Sequence, residues 1–107
     1  MATRCNVIVE NNSGYRIFMY RHCDGYPESV APALAPILSE LRTDKDREKM
    51  GVSYVAEKIE DIEETYFIMG NQKSHKPFQY TTDIHGDIEW LYTLNVDTTE
   101  LHYEQVR

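Results

Sequence analysis

Apolar side chains recur at every second position near both ends of the chain and at every third or fourth position through its middle, and this change of period divides it into elements. Residues 4–10, Arg-Cys-Asn-Val-Ile-Val-Glu, read as a strand, Asn11-Asn12-Ser13-Gly14 as a turn cluster, and residues 15–22 as a second strand. Cys5, Val7 and Val9 lie on one face of this hairpin and Ile8 on the other. Ile17 and Met19 likewise oppose Phe18 and Tyr20. Apolar residues on both faces predict a hairpin inside a sheet rather than at a wet edge.

The period then lengthens. Leu34, Ile37, Leu38 and Leu41 share one helical face, so a helix is expected over residues 34–42. Pro32 fits a first helical turn, whereas Pro36 removes an interior hydrogen bond and is expected to kink the helix or delay its start. Residues 43–49 form a charged connection that Gly51 ends. Ser53 is positioned to cap a second helix with a stripe of Val55, Ala56, Ile59 and Ile62, while Glu57, Lys58, Glu60, Asp61, Glu63 and Glu64 cover its wet side.

Residues 65–69 read as a short buried strand, 70–77 as a polar loop and 78–82 as another strand. Asp83 to Asp87 form a turn. Ile88, Trp90, Tyr92, Leu94 and Val96 alternate with polar residues, the clearest strand pattern in the chain, and a last strand spans 100–106. The order β-β-α-α-β-β-β-β predicts one α+β domain over residues 1–107: an antiparallel sheet of about five or six strands with two helices packed on one face.

Composition narrows the function classes. With 11 basic and 18 acidic residues the net charge is −7, which argues against a general duplex-binding protein. A local cationic pocket remains open, because Arg4, Arg16, Arg21, Lys73, His75 and Lys76 fall outside the acidic middle. Eight tyrosines suit a thin core with polar edges or a surface that stacks on a ligand. The two cysteines, Cys5 and Cys23, form neither a disulfide framework nor a metal cluster alone, although both sit toward the open end of the hairpin. The lack of a signal-like start and of a membrane-length apolar run gives the expectation of a cytoplasmic chain with free thiols, off the membrane.

The densest group of chemically useful side chains is Tyr20-Arg21-His22-Cys23-Asp24-Gly25-Tyr26-Pro27. Asp24-Gly25 is a turn signal, and Tyr26 before Pro27 favours an extended, stiff strand-to-helix connection. Arg21 offers a bidentate contact to phosphate or carboxylate, and Tyr20 and Tyr26 offer flat stacking surfaces. The expected ligand-binding residues are therefore Tyr20, Arg21, His22, Asp24 and Tyr26, with no cofactor and no catalytic set. The plainer alternative makes Asp24 a turn residue and the tyrosines a half-buried rim.

Common enzyme signatures are missing: there is no Gly-rich phosphate loop, nucleophile elbow, His-Glu-x-x-His helix or Cys-x-x-Cys pair. The catalytic alternative is a metal-dependent hydrolase or nuclease recruiting His22, Asp24, His85 and Asp87, residue types that suit zinc or manganese at a spacing that is not diagnostic. A thiol nucleophile at Cys23 would need a neighbouring cation such as Arg21. A third alternative is a self-assembling component whose Tyr-rich sheet pairs with another copy.

Residues 20–27, together with His85-Gly86-Asp87-Ile88-Glu89-Trp90-Leu91-Tyr92, resemble a family of small uncharacterised proteins of phages, large viruses and bacterial mobile elements. Relatives share an N-terminal hairpin, a Tyr-Arg-His-x-Asp-Gly-Tyr-Pro segment and a helix behind it. Here Ala and Pro predominate at residues 31–36, where that pattern has Gly and other residues. The resemblance implies an accessory protein in a host cytoplasm that binds a host protein or a small anionic, nucleotide-like ligand, in counter-defence.

Overall fold

A computed structural model describes residues 3–43 and 51–107, arranged as seven strands and two helices. Strands β1 (Cys5–Glu10) and β2 (Arg16–Arg21) form the first hairpin, followed by helices α1 (Pro27–Thr43) and α2 (Val52–Glu60). Then come β3 (Glu64–Ile68), β4 (Asn71–His75), β5 (Phe78–Thr81), β6 (Trp90–Asn95) and β7 (Glu100–Gln105). Five strands build the main sheet in the order β5-β2-β1-β6-β7, and β3 and β4 form a separate two-stranded arm. The α+β class follows from the alternating ends and the helical middle.

The central pairing is parallel: Cys5 lies beside Trp90, Val7 beside Tyr92 and Val9 beside Leu94. All other ladders are antiparallel, so the sheet is mixed rather than purely antiparallel. The cause is topological. β5 sits at one edge and β6 on the far side of β1, so the 82–89 segment must cross the sheet before the chain re-enters it.

Both helices pack on one face. Val7, Val9, Met19, Tyr92 and Leu94 from the sheet meet Val30, Leu34, Leu41, Val55, Ala56 and Ile59 in one buried cluster. The fully buried side chains lie at strand period 2 and helix period 3.6, as a sheet under a helical layer requires. The crossover covers part of the other face. Asn6, fully buried there, donates to the Met19 carbonyl at 2.8 Å and accepts from the His85 backbone N–H at 2.8 Å, fastening the crossover to β1.

Several local expectations change. α1 begins at Pro27 and runs unbroken through Pro32 and Pro36. Both prolines face solvent, four residues apart, so the carbonyls they leave without an N–H partner lie on the wet side while the apolar stripe stays intact. Ser53 is inside α2, whose N-cap is Gly51. The polar 70–77 stretch contains β4, because Met69 (φ 52°) and Gly70 (φ 83°) make a turn with two consecutive positive φ angles that reverses the chain. The strand at 65–69 is exposed rather than buried. The charged connection at 44–49 lies outside the described residues.

Candidate functional site

The 22–26 turn is built by two different backbone devices. Asp24 takes the positive φ, at 55°, a conformation that Asp tolerates better than most residues. Gly25 serves close approach instead: a Cβ there would lie 2.9 Å from the Cys5 Cβ and 2.9 Å from the Thr3 carbonyl oxygen. The Gly25 N–H donates to Thr3 O at 2.8 Å, and the buried Tyr92 hydroxyl donates to Gly25 O at 2.7 Å. Burial raises the Tyr92 phenol pKa, so the hydroxyl stays a donor. The connection is thus pinned from both sides, as the turn residues suggested.

Strand geometry divides the five expected binding residues. Successive side chains on β2 point to opposite faces, so Tyr20 and His22 emerge on the crossover face while Arg21 points under the helices. Arg21 is only 2% exposed. Its Nε donates to the Cys23 carbonyl at 2.6 Å and its Nη2 to Glu64 Oε2 at 3.0 Å, while the guanidinium carbon lies 5.0 Å from the Phe78 ring centroid. Its remaining nitrogen, Nη1, is buried with no hydrogen-bond partner. Glu64 was expected on a wet helical face, but α2 ends at Glu60 and Glu64 opens β3, where it meets Arg21.

Tyr20 stacks on His85 with ring centroids 4.0 Å apart, and its hydroxyl donates to Asp87 Oδ2 at 3.2 Å. Burial first, and then the Asp87 charge, raise the Tyr20 pKa. Arg4 bridges the group, with Nε 3.3 Å from Asp87 Oδ2 and 3.4 Å from His22 Nδ1. His85 Nε2 lies 2.8 Å from Thr81 Oγ1. Asp24 and Tyr26 stand apart from this group, paired with each other through a 3.3 Å hydrogen bond from the Tyr26 hydroxyl.

Of His22, Asp24, His85 and Asp87, three therefore gather around Tyr20 and Arg4, and Asp24 stands apart. Among the described residues no group of three or more His, Cys, Asp or Glu side chains is arranged to hold a metal ion. Cys5 and Cys23 are both free thiols, the first buried and the second exposed. Burial pushes the Cys5 thiol from its ordinary 9.0 up to about 12, with nearby Arg21 pulling the other way.

What the fold does bring together is a cleft of about 280 Å³ between the end of β2 and the β4–β5 connection, lined by Arg21, His22, Cys23, His75, Lys76 and Gln79, with Pro77. A second depression of about 410 Å³ is lined by Cys23, Asp24, Tyr66 and His75, so Cys23 and His75 border both. Lys76 is held at the rim by Asp61, 3.3 Å away, and Glu60, 3.6 Å away. These contacts, the Asp61 hydrogen bond first, raise its pKa and keep it protonated. His75 is oriented edge-on to Tyr66 at 5.1 Å. Arg21 and Lys76 bring positive charge to the cleft, each already facing carboxylates: Glu64 for Arg21, and Asp61 and Glu60 for Lys76.

Sequence reasoning had reached Arg21, His22 and, as added charge, the 73–76 segment. Arg16, grouped with them, sits at the far end of β2 against Glu10. Sequence reasoning missed Glu64, Phe78 and Gln79, and had named Arg4 only as one of the charges open to a cationic pocket. Only Phe78 carried a signal, as the first apolar residue of an expected strand. No family model, no curated protein and no solved structure matches the chain.

Proposed function

We propose that this is a non-enzymatic binding protein whose recognition site is the cleft beside the 20–27 connection, and that it takes a small anionic group, a phosphate or carboxylate. One observation carries the reading. Arg21 lines the same cleft as His75 and Lys76, and its buried Nη1, like the buried Glu64 Oε1 of the same ion pair, has no hydrogen-bond partner. A buried guanidinium nitrogen without an acceptor is costly unless something supplies one, and a phosphate or carboxylate oxygen is its natural partner. Tyr66 and His75 supply flat surfaces at the margin, which suits a nucleotide-like ligand.

The resemblance of residues 20–27 to proteins of phages, large viruses and mobile elements supports a setting. In it the chain is an accessory protein that sequesters an anionic signal, or occupies a host protein presenting the same chemistry, in counter-defence. Both versions use one cleft.

Isothermal titration with AMP, a cyclic dinucleotide and inorganic phosphate tests the proposal. At least one is expected to bind, and Lys76→Gln is expected to weaken it about tenfold through loss of a charge-assisted contact, with the circular dichroism spectrum unchanged. No binding of any of the three at millimolar concentration, or binding indifferent to Lys76→Gln, would overturn it.

A further inference from the structure

The two edges of the main sheet are treated differently. β5 is four residues long and is preceded by Pro77, a short edge of the kind that resists pairing. β7 is six residues long, and its register against β6 is continuous from Glu100 to Gln105 with no bulge. Residues 100–106 contain no Lys, Pro or Gly, and no described strand pairs with the outer side of β7. Such an edge offers a row of backbone donors and acceptors to another strand.

Its side chains point to a specific occupant. Leu101, Tyr103 and Gln105 lie on the helix side of the sheet, and Glu100, His102 and Glu104 on the other, as their partners on β6 dictate. A sheet continued into a second copy keeps the helix side common to both, so the two-fold axis must pass through a residue rather than between residues. An axis at His102 sets Glu100 opposite the partner's Glu104, and an axis at Glu104 opposes two carboxylates directly; like charges at opposed positions are destabilising. Axes at Leu101 or Gln105 shorten the ladder, the first by running into the Thr98-Thr99 turn, where Thr99 has φ 58°.

The axis at Tyr103 avoids both faults. It sets His102 opposite the partner's Glu104, Leu101 opposite the partner's Gln105, and Tyr103 opposite the partner's Tyr103. Tyr103 is 52% exposed although its ring lies 6.1 Å from Trp90 and 5.7 Å from Tyr92, so half of an anchored aromatic side chain is left for a mate. We propose that β7 is a dimerisation edge, on which two copies of this chain pair antiparallel about a two-fold axis through Tyr103 to make one continuous sheet.

Analytical ultracentrifugation across a concentration series is expected to show the mass rising to twice that of the chain. Glu104→Lys sets a cation against the partner's His102 at two symmetric rungs and is expected to weaken dimerisation about tenfold. Adding His102→Glu sets opposed charges at both rungs and is expected to restore the dimer. Independently, Tyr103→Cys in a Cys23→Ser background places two thiols at a paired position, and mild oxidation is expected to crosslink them, whereas Leu101→Cys stays uncrosslinked. A monomer at every concentration would overturn the proposal. So would a dimer indifferent to Glu104→Lys, or crosslinking at residue 101 in preference to 103.

Discussion

Arg21 shows how one residue can be read correctly for chemistry and wrongly for placement. Its charge and its position in a stiff connection were legible, but strand parity sends Tyr20 and Arg21 to opposite faces and so divides the cluster around them. The ion pair with Glu64 joins a side chain 3% exposed to one 35% exposed, so its two ends respond unequally to truncation. Removing Glu64 leaves a buried guanidinium with its main acceptor gone, whereas removing the Arg21 charge leaves a carboxylate that is part exposed, although its Oε1 is buried. Glu64→Ala is therefore expected to cost about 2 kcal/mol, and Arg21→Met, which fills the same space, less. Urea denaturation of both variants measures the order, and the reverse order would refute this account of the pair.

Cys5 gives a second residue-scale expectation. Its thiol is raised from 9.0 to about 12 in the folded chain, so between those values the unfolded chain loses a proton that the folded one keeps. Stability is whole below about pH 9 and falls by up to roughly 1.4 kcal/mol per pH unit as the pH rises toward 12. Cys5→Ala is expected to flatten that slope in thermal melts recorded from pH 8 to 11. An unchanged slope would assign the alkaline loss to Tyr92 and the other phenols.

At the scale of elements, α1 shows where propensity yields to burial. Two prolines argued for a late helix start, yet Val30, Leu34, Ile37, Leu38 and Leu41 bury a stripe long enough to hold the helix from Pro27 onward. The missing hydrogen bonds fall on the wet side, where water takes the place of the lost N–H. Pro36→Ala restores one of them and is expected to stabilise the chain by about 1 kcal/mol, less than the full helix penalty because proline also restricts the unfolded chain. A melting temperature lowered by the substitution would mean that the proline ring packs against something essential. The arm formed by β3 and β4 was half legible. Its first strand was visible as an apolar run, but its second, Asn-Gln-Lys-Ser-His, carries no alternation because neither face is buried.

For the whole molecule, the class and the helix-covered face were readable from period alone, and the parallel central pairing was not. Nothing in the sequence marks the 82–89 segment as a crossover except Asn6, a polar residue inside an apolar strand. Asn6 is fully buried and joins β1, the Met19 carbonyl and the His85 backbone, so one side chain fixes the route by which β6 reaches its place. Asn6→Ala leaves the part-buried His85 N–H without its acceptor and takes a side-chain donor from the Met19 carbonyl. It is expected to cost about 1–3 kcal/mol, with amide exchange accelerated selectively across residues 82–89. Uniform acceleration over the sheet would show that the crossover is held by other contacts.

The arm has a last consequence. Its ladder joins only its own two strands, and Phe67, Ile68 and Met69 at its end are 72%, 51% and 97% exposed. Its far end is therefore exempt from the volume and parity demands that constrain the rest of the chain. Length and composition there are free to drift between variants, or to be replaced by an engineer, while the body beneath keeps its shape.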